Sequence, residues 1–296
     1  MAVLLGALLL AGVSGFAQEQ AGQGAANPGN LGPTGNQRVK PFKIMGNLYY
    51  VGMNDVAAYL IATPEGNILI DSTFEQTVPK IRESIEELGF KMRDIKYLLN
   101  SHAHIDHVGG HKLMQELTGS KIYISAPDAG VVEDGGRSDF RNAEGRERWK
   151  PVKVDNVFQD GAKVTLGGTT LTARLMPGHT KGCTTWTMVV EEGGKKYNVV
   201  ILCGLAGYDG APLLNNPRYP TLAQEYGKSF EVAKGLPCDI FLGMHARLYG
   251  LLEKMKKLEA GVTPNPFIDP QGYRDAVTSR EKVYRDEIEK ERAAAR

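Results

Sequence analysis

The chain of 296 residues carries 35 basic and 34 acidic side chains, a formal charge of +1, mixed along its length. That balance lacks the basic stripe that nucleic-acid binding needs, so no nucleic-acid partner is expected. With 42% hydrophobic and 8% aromatic residues, the chain has material for one large core, expected as a single domain.

Residues 2–13 (AVLLGALLLAGV) are uncharged and apolar, and Ser14-Gly15-Phe16-Ala17 sets small residues three and one before a cut after Ala17. Although no basic region precedes it, this pattern reads as a signal peptide, residues 1–17, and implies an exported, periplasmic protein. The run is shorter than the ~20 apolar residues that span a bilayer, so no stable membrane association is expected after cleavage. Residues 18–37, rich in Gly, Gln, Asn and Pro, cannot bury a core and read as a flexible leader. The domain proper is expected over 38–296. Cys183, Cys203 and Cys238 are odd in number and too few for a disulfide scaffold, so stability is expected from burial.

After the leader come short β-rich runs at 42–52, 57–63 and 67–72, parted by turn residues, which predict a twisted antiparallel sheet. Residues 76–89 place Val78, Ile81, Ile85 and Leu88 on one helical face and end at Gly89. The alternation continues with a strand at 96–100, a helix from about 109 and a strand at 121–125. A strand-rich block follows at 163–203, then a helix at 221–235, a strand at 239–243 and helices after 250. The last, about 270–294, is expected to pack through Tyr273, Val277, Tyr284 and Ile288. Runs such as NVVILC (198–203) look buried on both faces, which two face-to-face sheets with outer helices would satisfy.

The chemistry concentrates in HAHIDH, residues 102–107, directly after the apolar strand. In extended backbone alternate side chains share a face, so His102 and His104 can grip one metal. Asp106 and His107 follow where the chain begins to turn and can face a second metal. Imidazole and carboxylate are suitable zinc donors, and a catalytic site keeps one position open for water. Of the remaining histidines, His179 and His245 each follow an apolar strand and sit near glycine, where an α/β sheet presents its ligands. His111, four residues beyond His107, reads as structural rather than as a ligand. No Gly-x-Ser-x-Gly elbow occurs, which argues against a serine triad.

HAHIDH, the later Pro-Gly-His-Thr and a late histidine after a Phe-Leu-Gly strand resemble the metallo-β-lactamase superfamily over residues 42–290. The resemblance implies an α/β fold, an αββα sandwich of two mixed β-sheets with helices on the outer faces. The strand ending ILCGLAG (201–207) has no bridging carboxylate of the glyoxalase II kind. The donor set is similar instead to class B subclass 3. That similarity implies two zinc ions per subunit, the first on His102, His104 and His179, the second on Asp106, His107 and His245. It further implies hydrolysis of penicillins, cephalosporins or carbapenems by a metal-bound hydroxide that Asp106 orients, and so antibiotic resistance. The alternative is a related dizinc hydrolase of a lactone, thioester or small ester, since fold alone does not decide substrate. A non-catalytic zinc protein is the rival of another class. Two zinc ions, one aspartate and a shared hydroxide sum to about +2, so the expected partner is an anionic small molecule, taken by a monomer.

The third subclass carries serines near 204 and 206 for the substrate carboxylate, where this chain has Gly204 and Ala206. Lys181, with Arg247 or Tyr249, is the candidate replacement anchor. Cys203 reads as a buried thiol, because six other donors complete both metal sites. Gly193-Gly194 suggests a hairpin setting Cys183 nearly opposite Cys203. With the register open by one residue, a disulfide stays an alternative.

Overall fold

The computed structural model describes residues 32–205 and 212–296, so the expected signal peptide, most of the leader and Ala206 lie outside the described residues. The chain begins with a short helix α1 (Gly32–Gly35). It then builds a seven-stranded sheet whose spatial order is its sequence order: β1 (Phe42–Met45), β2 (Leu48–Tyr50), β3 (Tyr59–Thr63), β4 (Gly66–Ile70), β5 (Ile95–Leu99), β6 (Lys121–Ser125) and β7 (Asn156–Phe158). The first four pair antiparallel, β1 to β2 and β3 to β4 through tight turns and β2 to β3 through residues 51–58, and β4 through β7 pair parallel. Parallel neighbours need crossovers, supplied by α2 (Val78–Glu87), the pair α3 (Ile105–Val108) and α4 (His111–Thr118), and α5 (Ala126–Glu133).

The second sheet contains β8 (Lys163–Leu166), β9 (Thr169–Leu175), β10 (Thr184–Glu192), β11 (Lys195–Leu202) and β12 (Ile240–Gly243), in the order β12-β11-β10-β9-β8. Only β11 and β12 are parallel, joined by α6 (Leu222–Gly235). The helices α7 (Ala246–Tyr249), α8 (Leu251–Glu259) and α9 (Pro270–Ala294) complete the chain. Both sheets are therefore mixed, with helices packed outside them, as the αββα expectation required. No helix among the described residues is long and apolar enough to cross a membrane.

Burial on both faces explains the continuous apolar runs. Along paired β3 and β4, Tyr59, Ile61, Ile68 and Ile70 enter the core shared with the second sheet, while Leu60 and Leu69 meet Ile81 and Ile85 of α2. Each such fully buried side chain contributes about 1.5–3 kcal/mol. On the far side, Tyr226 and Phe230 of α6 and Tyr273, Val277 and Ile288 of α9 extend the core. Tyr284 is half-buried and its hydroxyl donates to the Ala223 carbonyl at 2.7 Å.

Three details depart from the sequence expectations. Asn36 is buried and its side-chain oxygen accepts the Val56 N–H at 2.9 Å, so the end of the expected leader is docked on the connection between β2 and β3 rather than loose. The helix α5 and strand β7 went unanticipated, since APDAGVVE has no single apolar stripe and NVF is three residues long. Third, Cys183 and Cys203 form a disulfide with their Cα atoms 6.0 Å apart, which corrects the favoured buried thiol. The register pairing Trp186 with Ile201 across the Gly193-Gly194 turn, continued outward, sets Cys183 beside Cys203 on the diagonal.

Candidate metal centre

The strand β5 stops at Leu99, and residues 100–104 leave the sheet edge in a short loop. His104 is the last extended residue (φ −120°, ψ 154°) and begins α3; its carbonyl accepts the N–H groups of His107 and Val108, both at 2.9 Å. The chain thus turns between the first two histidines and Asp106–His107. His179 comes from the loop after β9. His245 follows β12 and begins α7.

These four segments converge. Donor atoms of His102, His104 and His179 lie within 4.8 Å of one another, and their ring centroids are 4.6–4.8 Å apart. Beside them, Asp106 Oδ2 lies 3.5 Å from His107 Nε2 and 3.6 Å from His245 Nε2. The groups adjoin, since donors of His102, Asp106 and His107 also fall within 4.8 Å of one another. All six residues expected as ligands are therefore in one place, in two adjoining trios.

Burial strips water from His102, His104 and His179 and pushes their pKa values down, His104 to about 3, so each offers a neutral imidazole near neutral pH. Burial works against the ionised form of Asp106 as well, but the neighbouring His107 and His245 outweigh it and hold the carboxyl below its usual range. For His107 burial again opposes charge, while Asp106 and Asp71 outweigh it and lift its pKa to about 10. Positive charge is stabilised at this spot.

The donors fit zinc. The Nε2 atoms of His102 and His107 are buried and have no hydrogen-bond partner among the described residues, while the opposite ring nitrogens are held. Asp71, buried just past β4, accepts the Ser101 N–H at 2.7 Å, the Ser101 hydroxyl at 2.8 Å and Nδ1–H of His107 at 2.8 Å. Ser101 Oγ in turn takes Nδ1–H of His102 at 3.0 Å. That network holds Nδ1–H of each ring, so once His107 gives up the second proton that Asp106 and Asp71 stabilise, both Nε2 atoms can ligate. Asp55 Oδ1 lies 3.4 Å from His245 Nδ1, and Asp139 Oδ2 lies 3.7 Å from His104 Nε2. None of these three aspartates stood out in the sequence, although Asp71 closes the apolar run NILIDS. His111 lies outside both trios, its Nδ1 2.6 Å from Ser72 Oγ, and burial pushes its pKa to about 3.

The expected substrate contacts fare unevenly. Lys181 is exposed, with its ammonium 5.2 Å from the centre of the Tyr219 ring. Arg247 donates to Asp55 Oδ1 at 2.8 Å, beside His245. Tyr249 is not brought to the site: it is 3% exposed, its hydroxyl pairs with that of Tyr59 at 3.0 Å, and its ring packs on Phe241 and Phe267. Its apolar ring is worth more in the core than at a wet pocket. Gly204 adjoins His179, but its φ is +55° and a Cβ there would lie 2.1 Å from Cys183 Sγ.

The sequence and the fold both have relatives. The native FEZ-1 metallo-beta-lactamase of Legionella gormanii superposes with a TM-score of 0.84 at 44% identity, covering 86% of this chain and 97% of that one. BJP-1, a subclass B3 metallo-beta-lactamase of Bradyrhizobium japonicum, gives 0.81 at 35% identity, covering 88% and 98%. The mitochondrial persulfide dioxygenase of Homo sapiens is 29% identical over 133 residues, 44% of this chain and 42% of that protein. The chain therefore spans less than half the length of that curated relative. The family model described as metallo-beta-lactamase superfamily matches residues 51–245, the stretch that contains all six converging donors. With the fold, the donor set and this match in agreement, the chain belongs to the metallo-beta-lactamase superfamily.

Proposed function

We propose that this protein is an exported two-zinc hydrolase of the subclass B3 kind that opens the amide bond of β-lactams and so confers antibiotic resistance. The observation that carries this reading is the pair of trios meeting at Asp106, in a chain 35–44% identical to B3-like lactamases over nearly their whole length.

In this reading His102, His104 and His179 hold one zinc, and Asp106, His107 and His245 hold the other. When bound, the two ions supply a Lewis acid for the carbonyl and an acidified water at neutral pH. Asp106 has two tasks, giving an oxygen to the second trio and orienting the attacking water. Asp71 keeps His102 and His107 in their ligating tautomers, and Asp55 does the same for His245. Lys181, exposed two residues after His179, attracts the substrate carboxylate, and its pairing with the Tyr219 ring limits where the ammonium can reach. Arg247 serves this pocket through Asp55 and His245 rather than as a free anchor. We place a signal peptide at 1–17, a leader at 18–37 and one catalytic domain at 38–296, acting as a monomer in the periplasm.

The test is hydrolysis of a carbapenem and a chromogenic cephalosporin by the purified mature protein, with added zinc and then with a chelator. Turnover that the chelator abolishes and zinc restores is expected. Two tightly bound zinc ions without lactam turnover would move the assignment to a lactone, thioester or small-ester hydrolase.

A further inference from the structure

We infer that Asp128, in the first turn of α5, is a positioning residue for the first trio, latching the loop that carries His102 and His104 to the loop that carries His179. The inference rests on the reading that this trio holds zinc. Asp128 is 1% exposed, and its carboxylate spans two segments far apart in sequence. Oδ2 accepts the N–H of Ala103, the residue between His102 and His104, at 3.0 Å. The same oxygen accepts the hydroxyl of Thr180, the residue after His179, at 2.8 Å. Oδ1 accepts the N–H of Gly182 at 2.8 Å.

The loop of His179 is held a second time, because Ser125 Oγ, three residues before Asp128, donates to the Gly182 carbonyl at 2.8 Å. The approach is so close that a Cβ at Gly182 would lie 2.1 Å from Ser125 Oγ and 2.5 Å from Asp128 Cγ. Only a residue without a side chain allows the latch to shut. Asp71, by contrast, bonds His107 directly and His102 through Ser101, so it serves both trios. The three bonds of Asp128 all end in the two loops of the first trio. A carboxylate with a backbone N–H aimed at each oxygen tolerates no amide there: in Asp128→Asn the Nδ2 group can only donate, and in either orientation it meets the N–H of Ala103 or of Gly182, which also donates.

Zinc affinity is measured by competition with a chromogenic chelator in two backgrounds of the mature protein. His245→Ala leaves the first trio intact, and His179→Ala leaves the second. Adding Asp128→Asn should weaken zinc about 10- to 100-fold in the first background, as loss of an outer partner does. In the second background affinity should stay within about twofold, as for an uncoupled site. Equal loss in both backgrounds, or none in the first, overturns the latch. If the unmodified protein binds no zinc, the trio reading falls and the latch with it. Should Asp128→Asn not fold, Thr180→Val removes one bond of the latch at nearly constant shape. It should weaken the first trio about 2- to 10-fold, and no change there would equally overturn the proposal.

Discussion

His111 lies one helical turn beyond His107 with its imidazole fully buried, Nδ1 on the Ser72 hydroxyl and its pKa held at about 3 by burial and by the neighbouring His107. In the unfolded chain the same ring titrates near 6.5. Between these values the unfolded state binds a proton that the folded state refuses, so this group lowers stability as pH falls from 6.5 toward 3 and has no effect above 6.5. His111→Asn retains a donor at the position of Nδ1 and does not titrate. Metal-free wild type should lose stability more steeply than His111→Asn below pH 6.5, by up to about 1.4 kcal/mol per pH unit. Urea unfolding of both proteins at pH 7 and pH 5 checks this, and parallel losses would sink it. At this scale the sequence was informative about donors and silent about their supports. Six candidate ligands announce themselves, because histidine is scarce and clustered and Asp106 sits within that cluster. The roles of Asp55, Asp71, Asp128 and Asp139 depend on neighbours distant in the chain.

The hairpin of β10 and β11 is the element on which chemistry and packing meet. Its Gly193-Gly194 turn and apolar strands were legible, because two short runs parted by a two-residue glycine turn have few other ways to pair. Its base holds the Cys183–Cys203 disulfide, and Cys203 Sγ lies 3.7 Å from His102 Nδ1. Gly204 follows at positive φ, packed on Cys183 Sγ and on the Cβ of His179. A serine at this position is therefore costly here. Gly204→Ser should destabilise the protein by about 1–3 kcal/mol from overpacking, with roughly 1–2 kcal/mol more from a left-handed backbone. A urea midpoint unchanged from wild type would contradict it. The elements missed, α5 and β7, failed for ordinary reasons: a helix without one apolar stripe and a strand of three residues leave no periodic signal.

Across the whole molecule, the donors come from both sheets. Residues 102–107 follow β5 of the first, while His179 and His245 follow β9 and β12 of the second. A metal bound by both trios ties the two halves together in the folded state alone, which makes its binding energy a contribution to folding. At free zinc about 1,000 times the dissociation constant, the gain for one site is about 4.1 kcal/mol. For a domain of this size that corresponds to roughly 8–16 °C in melting temperature. Calorimetry with zinc and with chelator should show a rise of this order that follows zinc concentration; coincident melting curves would refute it. The layered architecture itself was foreseeable, since alternating strands and helices with doubly buried runs admit few arrangements.

The amino-acid sequence by itself determined most of the inventory: the strands and helices other than α5 and β7, the six candidate metal donors and the split between the extended and turned halves of HAHIDH. These follow from local spacing, because backbone geometry over a few residues sets which side chains share a face. Only the tertiary structure decided the Cys183–Cys203 disulfide, the burial of Tyr249 against Tyr59, the pairing of Arg247 with Asp55 and the latch at Asp128. Each joins segments from 20 to 192 residues apart. At that range register and sheet packing, rather than spacing along the chain, select the partner, and a slip of one residue reverses the face that a side chain presents.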